Sequence, residues 1–196
     1  MPRITKILNV APPSSFVSID ASTNSMAFAI YTDGKIIRYG KIKFNGNNIN
    51  EKMKDISNKT KAFFDKLPNG TIIVIEDTIY TNSHNTAAQL AKAQGALLGG
   101  AFLGGAKESH CVSPIAWQSF IGTRLLTAAE KAAIKKATPN KSAAWYKAKE
   151  RDIRKHRTID TMNKTYGTNV DDDDVADAMG IATFAASNWG KVIKEK

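Results

Sequence analysis

The run Thr71-Ile72-Ile73-Val74-Ile75 ends abruptly in Glu76. It is apolar and β-branched, without the alternation of a strand that keeps one wet face. It therefore reads as a strand buried on both faces, the usual setting of parallel pairing. Such a strand needs helices on both sides of its sheet, which points to an α/β class. The tip is the second constraint. A charge at the end of an all-apolar strand is expensive to bury unpaired. Glu76 is thus either solvated at the strand end or faced by a cation.

The flanking sequence supplies the rest of a sheet. Phe16-Val17-Ser18-Ile19-Asp20 reads as a strand, and Ser25–Thr32 as a second, with Met26, Phe28 and Ile30 alternating against Ala27, Ala29 and Tyr31. Asp33-Gly34 is a strong hairpin signal, and Lys35–Phe44 follows as a third strand. Ile49–Leu67 carries apolar residues at helical spacing and is stopped by Pro68-Asn69-Gly70. Thr86–Ala106 is an Ala-, Leu- and Gly-rich helix, Ser109–Val112 a short strand, and Asp173–Ser187 a final helix. Three antiparallel strands, then helix, strand, helix, strand, helix, is the order of a ribonuclease-H-like α/β fold: a five-stranded mixed sheet flanked by helices.

The chain has 196 residues, enough for one domain with a real core. A single domain over 1–196 is expected, with a mobile leader over 1–13 that ends at Pro12-Pro13. The N-terminus lacks a signal-peptide apolar core, and the longest apolar run, Gly95–Ala106, falls short of the roughly 20 residues that span a bilayer. The protein is expected inside cells, not secreted. One cysteine, Cys111, excludes an intramolecular disulfide and a Cys-based zinc site, and reads as a small buried residue. The net charge of +10 favours a polyanionic partner.

Further carboxylates stand at matching places. Asp20 ends the first strand and precedes the small polar turn Ala21-Ser22-Thr23-Asn24. A turn-forming Asp and a functional one are equally compatible with that position. Asp171–Asp174 form an acidic run at a helix start, which complements the helix dipole. That does not account for Asp177, one turn further in. Asp174 and Asp177, at i and i+3, share one face, with Cβ atoms roughly 5–6 Å apart. Four carboxylates converging from two strands and a helix suit a pair of hard divalent ions acting on a phosphodiester.

At these residues the sequence resembles the RuvC-type Holliday junction resolvases, including their phage and viral relatives. The resemblance runs through Val17-Ser18-Ile19-Asp20, Ile73-Val74-Ile75-Glu76, Ala93-Gln94-Gly95-Ala96, Val112-Ser113-Pro114 and Asp173-Asp174-Val175-Ala176-Asp177-Ala178. It implies that Asp20, Glu76, Asp174 and Asp177 are catalytic metal ligands; within the acidic run only the i, i+3 spacing to Asp177 singles out Asp174, which leaves Asp173 as the alternative. It implies two Mg²⁺ or Mn²⁺ ions per site and symmetric nicking of four-way DNA junctions by a homodimer. The helix 86–106 is the expected interface, through Gly95, Gly99, Gly100, Gly104 and Gly105. The alternative is that these glycines pack on the protein's own body. Ile79 and Tyr80 stand where relatives carry an apolar residue that wedges into the junction, or else Ile79 is core. Where many relatives carry a Lys, this chain has Ala116-Trp117-Gln118, so that basic contact is supplied elsewhere or is missing.

The segment 124–160 holds 11 Lys and Arg against 4 Asp and Glu, most of the chain's positive excess. Pro139-Asn140 divides it into two helical pieces. A solvated helical surface is the plain reading, and a phosphate-tracking arm the functional one. Lys155 is the first candidate for the scissile phosphate, with Arg154 and Arg157 beside it. Trp145 and Tyr146 either stack on bases or anchor the arm. Two other readings stay open: a nuclease for another branched DNA or an RNA–DNA hybrid, and a non-catalytic DNA-structure-binding protein.

Overall fold

The computed structural model describes residues 10–78 and 83–193. Of the expected leader, residues 1–9 lie outside them, as do Ile79 and Tyr80. The sheet has five strands in the order β3-β2-β1-β4-β5. β1 (Ser15–Ala21), β2 (Ser25–Thr32) and β3 (Lys35–Lys43) form an antiparallel meander. Asp33 and Gly34 close the hairpin with φ of 46° and 87°, the left-handed pair that a two-residue turn between twisted strands requires. A register shift between Ile30 and Tyr31 interrupts the β2–β3 ladder.

Helix α1 (Ile49–Phe64) is capped by Asn48, whose side chain accepts from the Glu51 N–H. β4 (Ile72–Glu76) then enters beside β1 in parallel, with Val17 opposite Ile73 and Ile19 opposite Ile75. α2 (His84–Leu103) returns the chain, and β5 (Glu108–Val112) adds in parallel at the far edge. The mixed five-stranded sheet expected from the sequence is the one observed. Among the described residues β5 is the outermost strand on its side, and Cys111 is exposed, not buried as its residue type suggested.

The pleat divides the interior into two cores. On one face Val17, Ile19, Ile73 and Ile75 pack with Ile56, Phe64 and Leu97 of α1 and α2. α1 and α2 approach closely because Gly100 and Gly104 have no side chains. A Cβ at Gly100 would lie 2.4 Å from the Ser57 carbonyl oxygen, and one at Gly104 2.7 Å from that of Lys61.

On the other face Phe16, Ala27, Ala29 and Val74 meet α6 (Asp173–Ser187), with α3 (Pro114–Phe120) and α5 (Ala143–Tyr166) behind it. α6 is buried almost all round, which its Ala-rich composition permits. The buried Ser18 hydroxyl donates to the Ala178 carbonyl at 2.7 Å and pins the helix to β1. A short helix, α7 (Trp189–Val192), follows.

The basic segment forms a helical hairpin. α4 (Ala128–Ala137) starts with a capping box between Thr127 and Glu130 and buries none of its side chains. Asn140, at φ 63°, turns the chain into α5, which runs unbroken for 24 residues back to the body. Glu130–Arg157 at 2.7 Å and Lys131–Glu150 at 2.8 Å tie the two helices together. No described helix is long and apolar enough to cross a membrane.

Candidate functional site

Parallel pairing brings the ends of β1 and β4 to the same edge of the sheet. Asp20 and Glu76 each lie one residue past the Ile19–Ile75 pair, on the face that α6 covers. The Ser18–Ala178 bond then sets the head of α6 over that edge. All four sequence-predicted carboxylates, Asp20, Glu76, Asp174 and Asp177, line one cleft of about 570 Å³.

The electrostatics of this cleft are those of buried acids crowded together. Asp20 is pushed well above the usual carboxylate range, first by burial and then by the charges of Glu76, Asp177 and Asp174. Asp177 is raised to about 7 by burial and by Glu76, Asp173 and Asp174. Glu76 is also raised by burial, against the opposing pull of Trp117 and Arg154. Among the described residues no Lys or Arg forms an ion pair with Asp20, Glu76 or Asp177. Carboxylates held together against their own repulsion, and supplying only hard oxygen donors, fit a divalent ion of the Mg²⁺ or Mn²⁺ type.

The acidic run is divided between roles. Asp172 is the N-cap of α6, accepting from the Val175 N–H at 3.1 Å. Asp173 pairs with Lys155. Asp174 pairs with Lys41 of β3 at 2.6 Å, and the same ammonium reaches Asp172 at 2.9 Å. Carboxylate oxygens of Asp172, Asp173 and Asp174 lie within 4.8 Å of one another. Both Asp173 and Asp174 line the cleft, so either can supply the helix-head ligand.

Of the basic candidates, Arg154 and Lys155 line the cleft, together with Arg151, which the sequence reading did not single out. The Arg154 Nε is buried with no hydrogen-bond partner. Arg157 lies on the Glu130 side of α5, where it braces the arm. Tyr146 caps the end of α4 by donating its hydroxyl to the Thr138 carbonyl at 2.7 Å, so it anchors the arm to itself. Trp145 packs edge-on against Tyr146.

Besides Arg151, two residues of the site escaped sequence reasoning. Lys41 belongs to a strand whose facing depends on the β2–β3 irregularity. Trp117 lies in the Ala116-Trp117-Gln118 stretch, and its indole donates to Glu76 Oε2 at 2.6 Å.

No family model and no curated protein matches the sequence. The architecture nevertheless defines a class: a five-stranded mixed sheet with helices on both faces is the ribonuclease-H-like fold, in its RuvC-like form. Two solved structures share it over most of their length. Thermus thermophilus RuvC in complex with a Holliday junction substrate superposes with a TM-score of 0.59 at 14% identity, over 87% of this chain and 94% of that one. A further Thermus thermophilus RuvC structure gives 0.59 at 15% identity, over 87% of this chain and 95% of that one.

Proposed function

We propose that this chain is a divalent-metal-dependent endonuclease that nicks two symmetric strands of a four-way DNA junction as a homodimer. The observation that carries the reading is the convergence of Asp20, Glu76, Asp174 and Asp177 in one cleft whose wall is Arg151, Arg154 and Lys155. Acids that repel one another need a cation, and a phosphodiester beside them needs positive charge. The likeness to a RuvC bound to a Holliday junction substrate supports the choice of substrate.

The carboxylates would hold one or two Mg²⁺ or Mn²⁺ ions. Such ions activate water for attack on phosphorus and stabilise the leaving oxygen. Arg154 lines the cleft, and its guanidinium would supply the basic phosphate contact that Trp117 cannot make. The basic hairpin of α4 and α5 extends the positive surface along a DNA arm. A four-way junction offers two equivalent strands, and two identical sites related by two-fold symmetry match them.

The outer face of α2 is the proposed contact between subunits. Gly95 and Gly99 have open space where a Cβ would stand, and Phe102 and Leu103 beside them are 44% and 72% exposed. Gly100 and Gly104 are committed to α1 and cannot serve there.

The test is cleavage of a synthetic four-way junction, a duplex, a flap and an RNA–DNA hybrid, each with Mg²⁺ and with EDTA. Metal-dependent paired nicks in the junction are expected, abolished in Asp20→Asn. Preferential cutting of the hybrid or the flap would replace the substrate assignment. Tight junction binding with no cleavage of any substrate would leave a DNA-structure-binding protein.

A further inference from the structure

One side chain touches both Glu76 and the helix that carries Asp174 and Asp177. Trp117 is fully buried on α3, and its Nε1–H donates to Glu76 Oε2 at 2.6 Å. The far side of its ring lies against α6. A Cβ built on Gly180 would come 2.8 Å from Trp117 Cζ3 and 3.0 Å from Cε3. Gly180 follows Asp177 by three residues, within one helical turn. A single rigid ring therefore spans from the carboxylate of β4 to the helix that carries Asp174 and Asp177.

The chemistry of the indole suits this place. Glu76 stands at a strand end on a side chain with three rotatable bonds, so its backbone alone does not aim its oxygens. Among the described residues no other side chain hydrogen-bonds to that carboxylate. An indole N–H donates, cannot accept and carries no charge. It fixes the direction of the carboxylate without neutralising it. The charged partners Lys41 and Lys155 act otherwise on Asp174 and Asp173.

We propose that Trp117 is a positioning residue: its N–H fixes the Glu76 carboxylate, and its ring, seated on Gly180, sets how far that carboxylate stands from Asp174 and Asp177. The inference rests on the reading of Glu76 as a metal-holding residue.

The test replaces Trp117 by 3-benzothienylalanine, which keeps the ring shape but has sulfur in place of N–H, with Trp117→Phe beside it. Junction cleavage is followed against substrate and against Mg²⁺, and the indole ¹⁵N–¹H resonance of the wild type is followed in Glu76→Gln and on adding Mg²⁺. The isostere should melt with the wild type. Its kcat should fall about tenfold and its half-saturating Mg²⁺ rise about tenfold, the size of loss typical for a partner that orients a metal ligand. KM for the junction should stay within about twofold, since no substrate contact is removed. Gly180→Ala, which displaces the ring, should raise the Mg²⁺ requirement in the same direction. The Trp117 resonance should move in Glu76→Gln and again with Mg²⁺.

A resonance indifferent to Glu76→Gln, or an isostere with wild-type kcat and Mg²⁺ requirement, overturns the proposal. A wild-type protein that neither cuts nor takes up Mg²⁺ fails the functional reading and this one together. A wild type that cuts while the isostere cuts equally well fails this one alone.

Discussion

The Lys41 ammonium sits 2.6 Å from an Asp174 carboxylate oxygen, so the edge strand β3 reaches across and holds the head of α6. The same Nζ lies 2.9 Å from Asp172, the cap of that helix. Burial pulls the Lys41 pKa down, but its bonds to Asp174 and Asp172 outweigh this and hold the ammonium more firmly protonated than an ordinary lysine. Lys41→Met should lower the melting temperature in EDTA, by the equivalent of about 1 kcal/mol for a partly exposed pair. The protein should regain more of that loss in Mg²⁺ than the wild type gains, because the ion restores the missing charge. Equal melting of mutant and wild type in EDTA would show that the strap contributes nothing.

The raised carboxylates predict an unusual pH dependence. Asp177 titrates at about 7 in the folded protein and near 3.9 when unfolded. The folded state therefore binds the extra proton between those values. The stability this group contributes is complete below about 4 and is lost as pH rises through about 7. Asp20 is shifted in the same direction, by burial first. Urea unfolding in EDTA should show Asp177→Asn to be more stable than wild type by about 2 kcal/mol at pH 8, and no more stable at pH 4. A difference independent of pH would contradict the assignment.

The glycines of α2 should separate into two classes. Gly100→Ala and Gly104→Ala force a methyl into the α1 backbone, and each should cost about 2 kcal/mol or more of stability. Gly95→Ala and Gly99→Ala meet open space within the chain, and each should raise the monomer's stability by up to about 1 kcal/mol. Bulkier changes there, such as Gly99→Leu, should lower the molecular mass in sedimentation if this face joins two subunits.

Neighbouring arginines of α5 should differ in kind. Arg154→Gln removes a cleft cation. It should weaken junction binding roughly tenfold and reduce the slope of log affinity against log salt by about 1. Arg157→Gln breaks the Glu130 contact. It should speed hydrogen exchange in α4 while leaving the salt slope unchanged.

How far the sequence foretold all this depended on the range of the interaction. The β-branched run before Glu76, the Asp33-Gly34 turn and the i, i+3 acids are local signals, and all three correspond to observed elements. Lys41 was hidden by one residue of slippage. Counting back from a two-residue turn pairs Ala27 with Gly40. The shift between Ile30 and Tyr31 pairs it with Lys41 instead and turns that side chain to the face where Asp20 lies. Trp117 was hidden by distance: its partner stands 41 residues earlier, and nothing in either local sequence marks the pairing. The α2 glycines showed as a group, but only the packing of α1 divided them.

The order of the elements bears on how the protein is made. Asp20 and Glu76 leave the ribosome before Asp174 and Asp177, which arrive on α6, the last long helix among the described residues. That helix also covers Phe16, Ala27, Ala29 and Val74. Until it docks, the nascent chain carries a bare apolar sheet face and only half a set of acids. The chain is thus most exposed to aggregation in the interval between the synthesis of the sheet and the docking of α6.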